Sequence, residues 1–180
     1  GAWSDAYLNG LFDREKPERR EAALAYRICA GVLQNREACD FYLQPYIKGK
    51  LQSSVRAILR SAVYQIAFMD RIPVSAAVNE AVELTKRMGN PGAARMVNAV
   101  LRRLTDETLP QLPQGDDAES LSVRFSHPEP WAAYFLKLLG PEKAKALLAL
   151  NNLPAPVSFR VNRLKTTPEA AAGILKPGGA

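Results

Sequence analysis

Ten basic side chains carry most of the chemistry that the residue types and spacing of this chain allow. Lys48, Lys50, Arg56, Arg60, Arg95, Arg102 and Arg103 lie in its middle, and Arg160, Arg163 and Lys165 form a second group near its end. A guanidinium group binds phosphate through two parallel N–H donors and can lie flat against an unpaired base, so the set suits a structured polyanion. Arg56 and Arg60 stand four residues apart, and like charges at that spacing on a helix repel by about 0.2–0.5 kcal/mol. A phosphate between them reverses the sign. Solvated surface charge explains any one of these residues, but it explains the group less well.

The other reactive residue types point elsewhere. His127, the only histidine, sits between Ser126 and Pro128 in a turn-like stretch; an adjacent Ser-His pair is not a catalytic dyad, whose partners meet through the fold, so a turn or capping role is expected. Glu80, Glu83 and Glu107 suggest an acid pair, but Lys86 and Arg87 follow at helical spacing and make a charge-balanced face the simpler reading. Cys29 and Cys39 are too few for a zinc site or a disulfide framework and are expected to be reduced, buried thiols. No glycine-rich phosphate loop, metal-ligand cluster or nucleotide fingerprint occurs. The sequence therefore supports no catalytic residue and no metal.

Net charge is +6, and its division along the chain is informative. Residues 1–44 net −1, 45–104 net +7, 105–130 net −5 and 131–180 net +5. Local excess of this kind favours a polyanionic partner over a merely solubilising charge. Apolar residues make up 47% of the chain, with no uninterrupted run of about 18, so a globular fold that does not span a membrane is expected. No signal-peptide pattern opens the chain, and a cytoplasmic address follows by default.

Helices must position these cations. Val74, Ala77, Val78, Ala81, Val82, Thr85 and Met88 share one helical face, with Asn79, Glu80, Glu83, Lys86 and Arg87 opposite. After Gly89, Asn90 is placed to cap a second helix with Pro91 at its first position. Its apolar stripe is Ala93, Val97, Val100, Leu101 and Leu104, which turns Arg95, Asn98, Arg102 and Arg103 outward. Asn79 and Asn98 occupy matching places in two similar phrases and are expected to hydrogen-bond across the pair.

Earlier helices are expected near 2–12, anchored by Trp3, Tyr7, Leu8, Leu11 and Phe12, then over 17–34, 36–47 and 54–69. A turn-prone acidic linker spans 105–120. Helices follow at 129–139 and up to Leu150, and then Val157 to Asn162 alternates strictly and reads as a strand. Thr167 and Pro168 open a last helix, stopped after Leu175. A lone strand needs a neighbour, so this end reads as the truncated start of an α/β domain.

Tyr64-Gln65, Asp70-Arg71-Ile72-Pro73, Ala77-Val78-Asn79-Glu80-Ala81-Val82 and Val97-Asn98-Ala99-Val100-Leu101-Arg102-Arg103 together resemble the NusB-type RNA-binding domain. The version they resemble stands at the front of the bacterial small-subunit rRNA cytosine-5 methyltransferases of the RsmB (Sun/Fmu) family, and Arg160 to Lys165 is similar to a phrase preceding their catalytic domain. The resemblance implies a mainly α fold: a NusB-like antiparallel helical bundle over 1–109, the linker over 110–120, and a helical subdomain with the α/β start over 121–180. It implies small-subunit rRNA as partner. S-adenosylmethionine is implied as cofactor of a longer parent, with none bound by this portion. A helix that normally comes first in the pattern is missing, so the sequence is expected to begin inside a longer gene. The groove left by that helix then offers a place for a protein partner. A free-standing NusB-type antitermination factor is the alternative, but such a factor ends near the last bundle helix.

Overall fold

The computed structural model describes residues 4–154, 158 and 160–175, all helical or irregular. Six helices form the first unit: α1 (Ser4–Glu15), α2 (Arg19–Gln34), α3 (Arg36–Leu43), α4 (Ser53–Phe68), α5 (Val74–Arg87) and α6 (Pro91–Asp106). A single 3-10 turn, Gln44–Tyr46, follows α3. Four further helices are α7 (Ala118–Phe125), α8 (Glu129–Leu139), α9 (Pro141–Asn151) and α10 (Pro168–Leu175).

The boundaries follow local chemistry. Glu18 and Glu21 close the start of α2 reciprocally, and Asn35 ends it by donating to the Gly31 carbonyl at 2.9 Å. Between α5 and α6, Gly89 takes a positive φ of 75°, and the Asn90 carboxamide accepts from the Ala93 amide at 3.1 Å as its spacing predicts.

Packing then selects the core. Leu43, Leu59, Val63, Val97, Leu101 and Leu104 are sealed from solvent, which joins α3, α4 and α6 into one apolar interior. Each such side chain stabilises the fold by about 1.5–3 kcal/mol relative to exposure. α5 lies along both α4 and α6, burying Ala77, Val78, Ala81 and Thr85. Val74 and Met88, expected on the same face, are exposed at its ends. α6 buries Ala94 beside its predicted stripe and leaves Ala93 only half-buried. Gly31 permits close approach of α2 to α4, because a methyl there would overlap the Tyr64 ring.

α1 packs on α2 alone among the described elements, and of its expected anchors only Leu8 is buried. Tyr7 is exposed, and Trp3 lies outside the described residues. α2 leaves Leu24 and Leu33 exposed and buries none of its larger apolar side chains fully. Cys39 is buried as expected, whereas Cys29 is exposed.

A second, smaller core of Leu121, Ala132 and Leu148 joins α7, α8 and α9. α7 is not among the expected helices; Asp117 caps it by accepting from the Ser120 amide at 2.9 Å. The unit docks on the bundle through α3 and α7. There the Ala38 amide donates to Ser126 Oγ at 3.1 Å, and Gln34 Nε2 donates to the Asn152 carbonyl at 2.8 Å.

The segment between the two units is anchored. Leu109 and Leu112 pack on the first core. Arg124 Nη1 and Nη2 donate to Gln114 Oε1 and the Gly115 carbonyl, both at 3.3 Å, and Lys145 reaches Asp116 at 3.1 Å. Of the acidic run, Asp116 is thus paired with cations of α7 and α9.

The expected strand is a correction. Ser158 and Arg160 to Asn162 are not in a strand, and Arg163 to Lys165 form a turn in which Lys165 N donates to the Asn162 carbonyl at 2.9 Å. Val157 and Phe159 lie outside the described residues. Alternation alone cannot make a strand, because its amides need a neighbour and none stands among the described residues. The truncated α/β start is therefore not seen among the described residues, whose architecture is mainly α. Thr167 does cap α10, accepting from the Ala170 amide at 3.2 Å.

Candidate nucleic-acid interface

The ten candidate cations occupy four local settings. In the first, Asp40 of α3 stands between Arg56 and Arg60 of α4. Arg60 Nε donates to Asp40 Oδ1 at 2.8 Å with Nη2 on the other oxygen, and Arg56 Nη1 is 4.0 Å from Oδ1. The carboxylate bonded to Arg60 raises the guanidinium pKa above its ordinary value. The place expected for a phosphate thus holds a side chain of the protein, and the trio ties α3 to α4.

The second setting is the outer face of α6. Arg95 and Arg102 are exposed, and Arg102 Nε donates to Asn98 Oδ1 at 3.2 Å. Between α5 and α6 runs a groove of about 670 Å³, lined by Asn79, Glu83 and Lys86 from one helix and by Arg95 and Asn98 from the other. The expected bond between Asn79 and Asn98 is not formed: Asn79 faces solvent, and the Asn98 carbonyl is taken by Arg102 one turn on. Lys86 Nζ holds Glu83 at 2.6 Å, keeping that carboxyl below its usual range. The charge-balanced face read from the spacing is therefore real at this pair.

In the third, Arg103 lies over the Tyr46 ring at 5.8 Å, while Tyr46 donates to Glu107 at 2.8 Å, a bond that pushes the phenol upward. Lys48 and Lys50 flank Gly49 in the exposed loop beyond. Glu107 is thereby occupied away from Glu80 and Glu83. In the fourth, Arg160 and Arg163 line an open hollow of about 810 Å³ with Asn162 and Pro168, and Lys165 is exposed nearby.

His127 serves the turn after α7, inside the second unit. Its Nδ1 is 2.7 Å from the Phe125 carbonyl, its own carbonyl accepts from Ser122 Oγ at 2.6 Å, and Ser126 before it adopts the left-handed conformation that ends α7. Asp40 and Arg124 are the residues that sequence reasoning missed. A carboxylate set among Cys39, Phe41 and Tyr42 on α3 was the one available signal. Among the described residues no grouping of His, Cys, Asp or Glu could hold a metal ion, and no helix is long and apolar enough to cross a membrane.

Comparison with known proteins places this geometry in a family. Residues 1–106 match the NusB family. The chain belongs to the NusB family. Its NusB-like region is joined to a second one, residues 127–179, matching the RsmF/B-like methyltransferase ferredoxin-like domain. The whole is 31% identical over 167 residues to the probable ribosomal RNA small subunit methyltransferase B of Bacillus subtilis, covering 91% of this chain and 37% of that protein. It is likewise 31% identical over 166 residues to ribosomal RNA small subunit methyltransferase B of Vibrio cholerae, covering 89% of this chain and 37% of that protein. The NusB-like region alone is 37% identical over 108 residues to transcription antitermination protein NusB of Bacillus licheniformis, covering 58% of this chain and 84% of that protein. The chain thus spans well under half the length of the methyltransferases it matches.

Proposed function

We propose that this chain is the RNA-recognising portion of an S-adenosylmethionine-dependent small-subunit rRNA (cytosine-5) methyltransferase, delivering rRNA to the catalytic domain of a longer parent protein. The observation that carries the reading is the order of two matches in one chain, a NusB-like region followed by an RsmF/B-type one. A free-standing antitermination factor accounts for the first and leaves the second without a role.

The exposed cations supply the physical support. Arg95 and Arg102 on α6, with Lys48 and Lys50 in the loop after the 3-10 turn, are open to solvent and free to meet phosphate. Arg103, Arg160, Arg163 and Lys165 extend the surface, whereas Arg56 and Arg60 contribute to it only beside Asp40. The described residues do not fit S-adenosylmethionine, since they contain no strand-end glycine-rich turn of the kind that holds it. Cofactor and methyl transfer belong to the longer parent on this reading.

The test is binding of the chain to small-subunit rRNA fragments across a salt series. Log affinity should fall against log salt by about 0.7–0.9 per phosphate neutralised. Arg95→Glu with Arg102→Glu should flatten that slope. Salt-insensitive binding would sink the reading and turn attention to a protein partner on the α1–α2 face, where Tyr7, Leu24 and Leu33 are exposed.

A further inference from the structure

The groove between α5 and α6 is not lined like a phosphate site. Its walls include Val82, Pro91 and Ala94, and its polar groups are two carboxamides, one carboxylate and two cations. It is an open groove of about 670 Å³, wide enough for a flat ring, with a few polar groups placed along partly apolar walls. Glu83 stands inside it with one carboxylate oxygen held by Lys86 at 2.6 Å, so the pair offers a phosphate little net charge. The second oxygen of that carboxylate can still accept from an amino group.

The carboxamides fit this division. Asn79 is exposed along the groove, and Asn98, with its carbonyl engaged by Arg102, keeps an N–H₂ to donate. A carboxamide offers a donor and an acceptor side by side, the pattern that reads the edge of an unpaired base. Sequence-specific RNA recognition targets splayed bases of this kind. Arg95 in the lining and Arg102 beside Asn98 then stand where flanking phosphates of the same strand would pass.

Resting on the RNA-binding reading above, we infer that this groove is a nucleobase subsite: Asn79 and Asn98 read the base edge, Glu83 selects a base carrying an exocyclic amine, and Arg95 and Arg102 hold the adjoining backbone. Adenine, cytosine and guanine meet that requirement. Uracil, with carbonyls where they carry the amine, does not.

The experiment measures fluorescence anisotropy of labelled single-stranded oligo(A), oligo(C) and oligo(U) with the full chain at several salt concentrations. Oligo(A) and oligo(C) should bind about five- to tenfold tighter than oligo(U), the discrimination of one good bidentate contact. Asn79→Ala with Asn98→Ala should erase the preference while leaving the salt slope intact, and Glu83→Gln should narrow it. Circular dichroism melts confirm that these variants fold, as expected for changes outside the core. Equal binding of the three oligomers with a normal salt slope overturns the subsite and leaves RNA binding standing. A preference that survives in the doubly substituted chain overturns it as well. Absence of any salt-dependent binding removes both readings together.

Discussion

Asn90 closes the start of α6 with its carbonyl and reaches Gln52 Oε1 at 3.0 Å with its amide, so one side chain serves a helix end and a contact to the segment before α4. Asn90→Ala should cost about 1 kcal/mol of stability in urea titration. The cysteines make a sharper contrast. Burial lifts the Cys39 thiol to about 12, so it stays protonated and inert, whereas Cys29 is open to reagent. Alkylation followed by mass spectrometry should label Cys29 in the native protein and Cys39 only after unfolding. The sign of the linkage follows from the raised value: the Cys39 contribution is complete below the unfolded thiol value near 9 and drains away as pH climbs toward about 12. Cys39→Ala should remove that part of the alkaline loss of stability.

At the scale of elements, α6 is the helix on which the candidate site turns, because its inner face builds the core and its outer face carries Arg95, Asn98 and Arg102. Leu101→Ala should destabilise the bundle by about 2–5 kcal/mol, read from the shift of the urea midpoint. Gly31→Ala drives a methyl into the Tyr64 ring and should cost about 1–3 kcal/mol, although alanine is the better helix former. If alanine there is neutral, α2 and α4 are not held as closely as described. Asp40→Ala leaves Arg56 and Arg60 without their common partner and loosens α3 from α4.

Two separate cores characterise the molecule as a whole. All of the first core's buried side chains come from α3 to α6 and the turns between them, and Leu121, Ala132 and Leu148 complete the second without them. Residues 1–117 alone should therefore unfold cooperatively, with Leu109 and Leu112 retained to cover the first core. A broad, non-cooperative melt would mean that α7 is needed through its docking on α3. S-adenosylmethionine should leave the melting temperature of the full chain unchanged. Clear stabilisation would mean that the chain carries a cofactor site of its own.

Periodicity and local chemistry determined the helices, because an amphipathic stripe, an asparagine cap and a proline at the first position act over a single turn. The α5–α6 pair and the outward arginines were legible for that reason. What tertiary structure alone decided were the meetings of residues distant in the chain: Asp40 between Arg56 and Arg60, Arg103 on Tyr46, Ser126 on the α3 amide. A short alternating run misled, because a strand exists only through its neighbour. Charge and spacing name the cations; only packing determines which of them already have a partner.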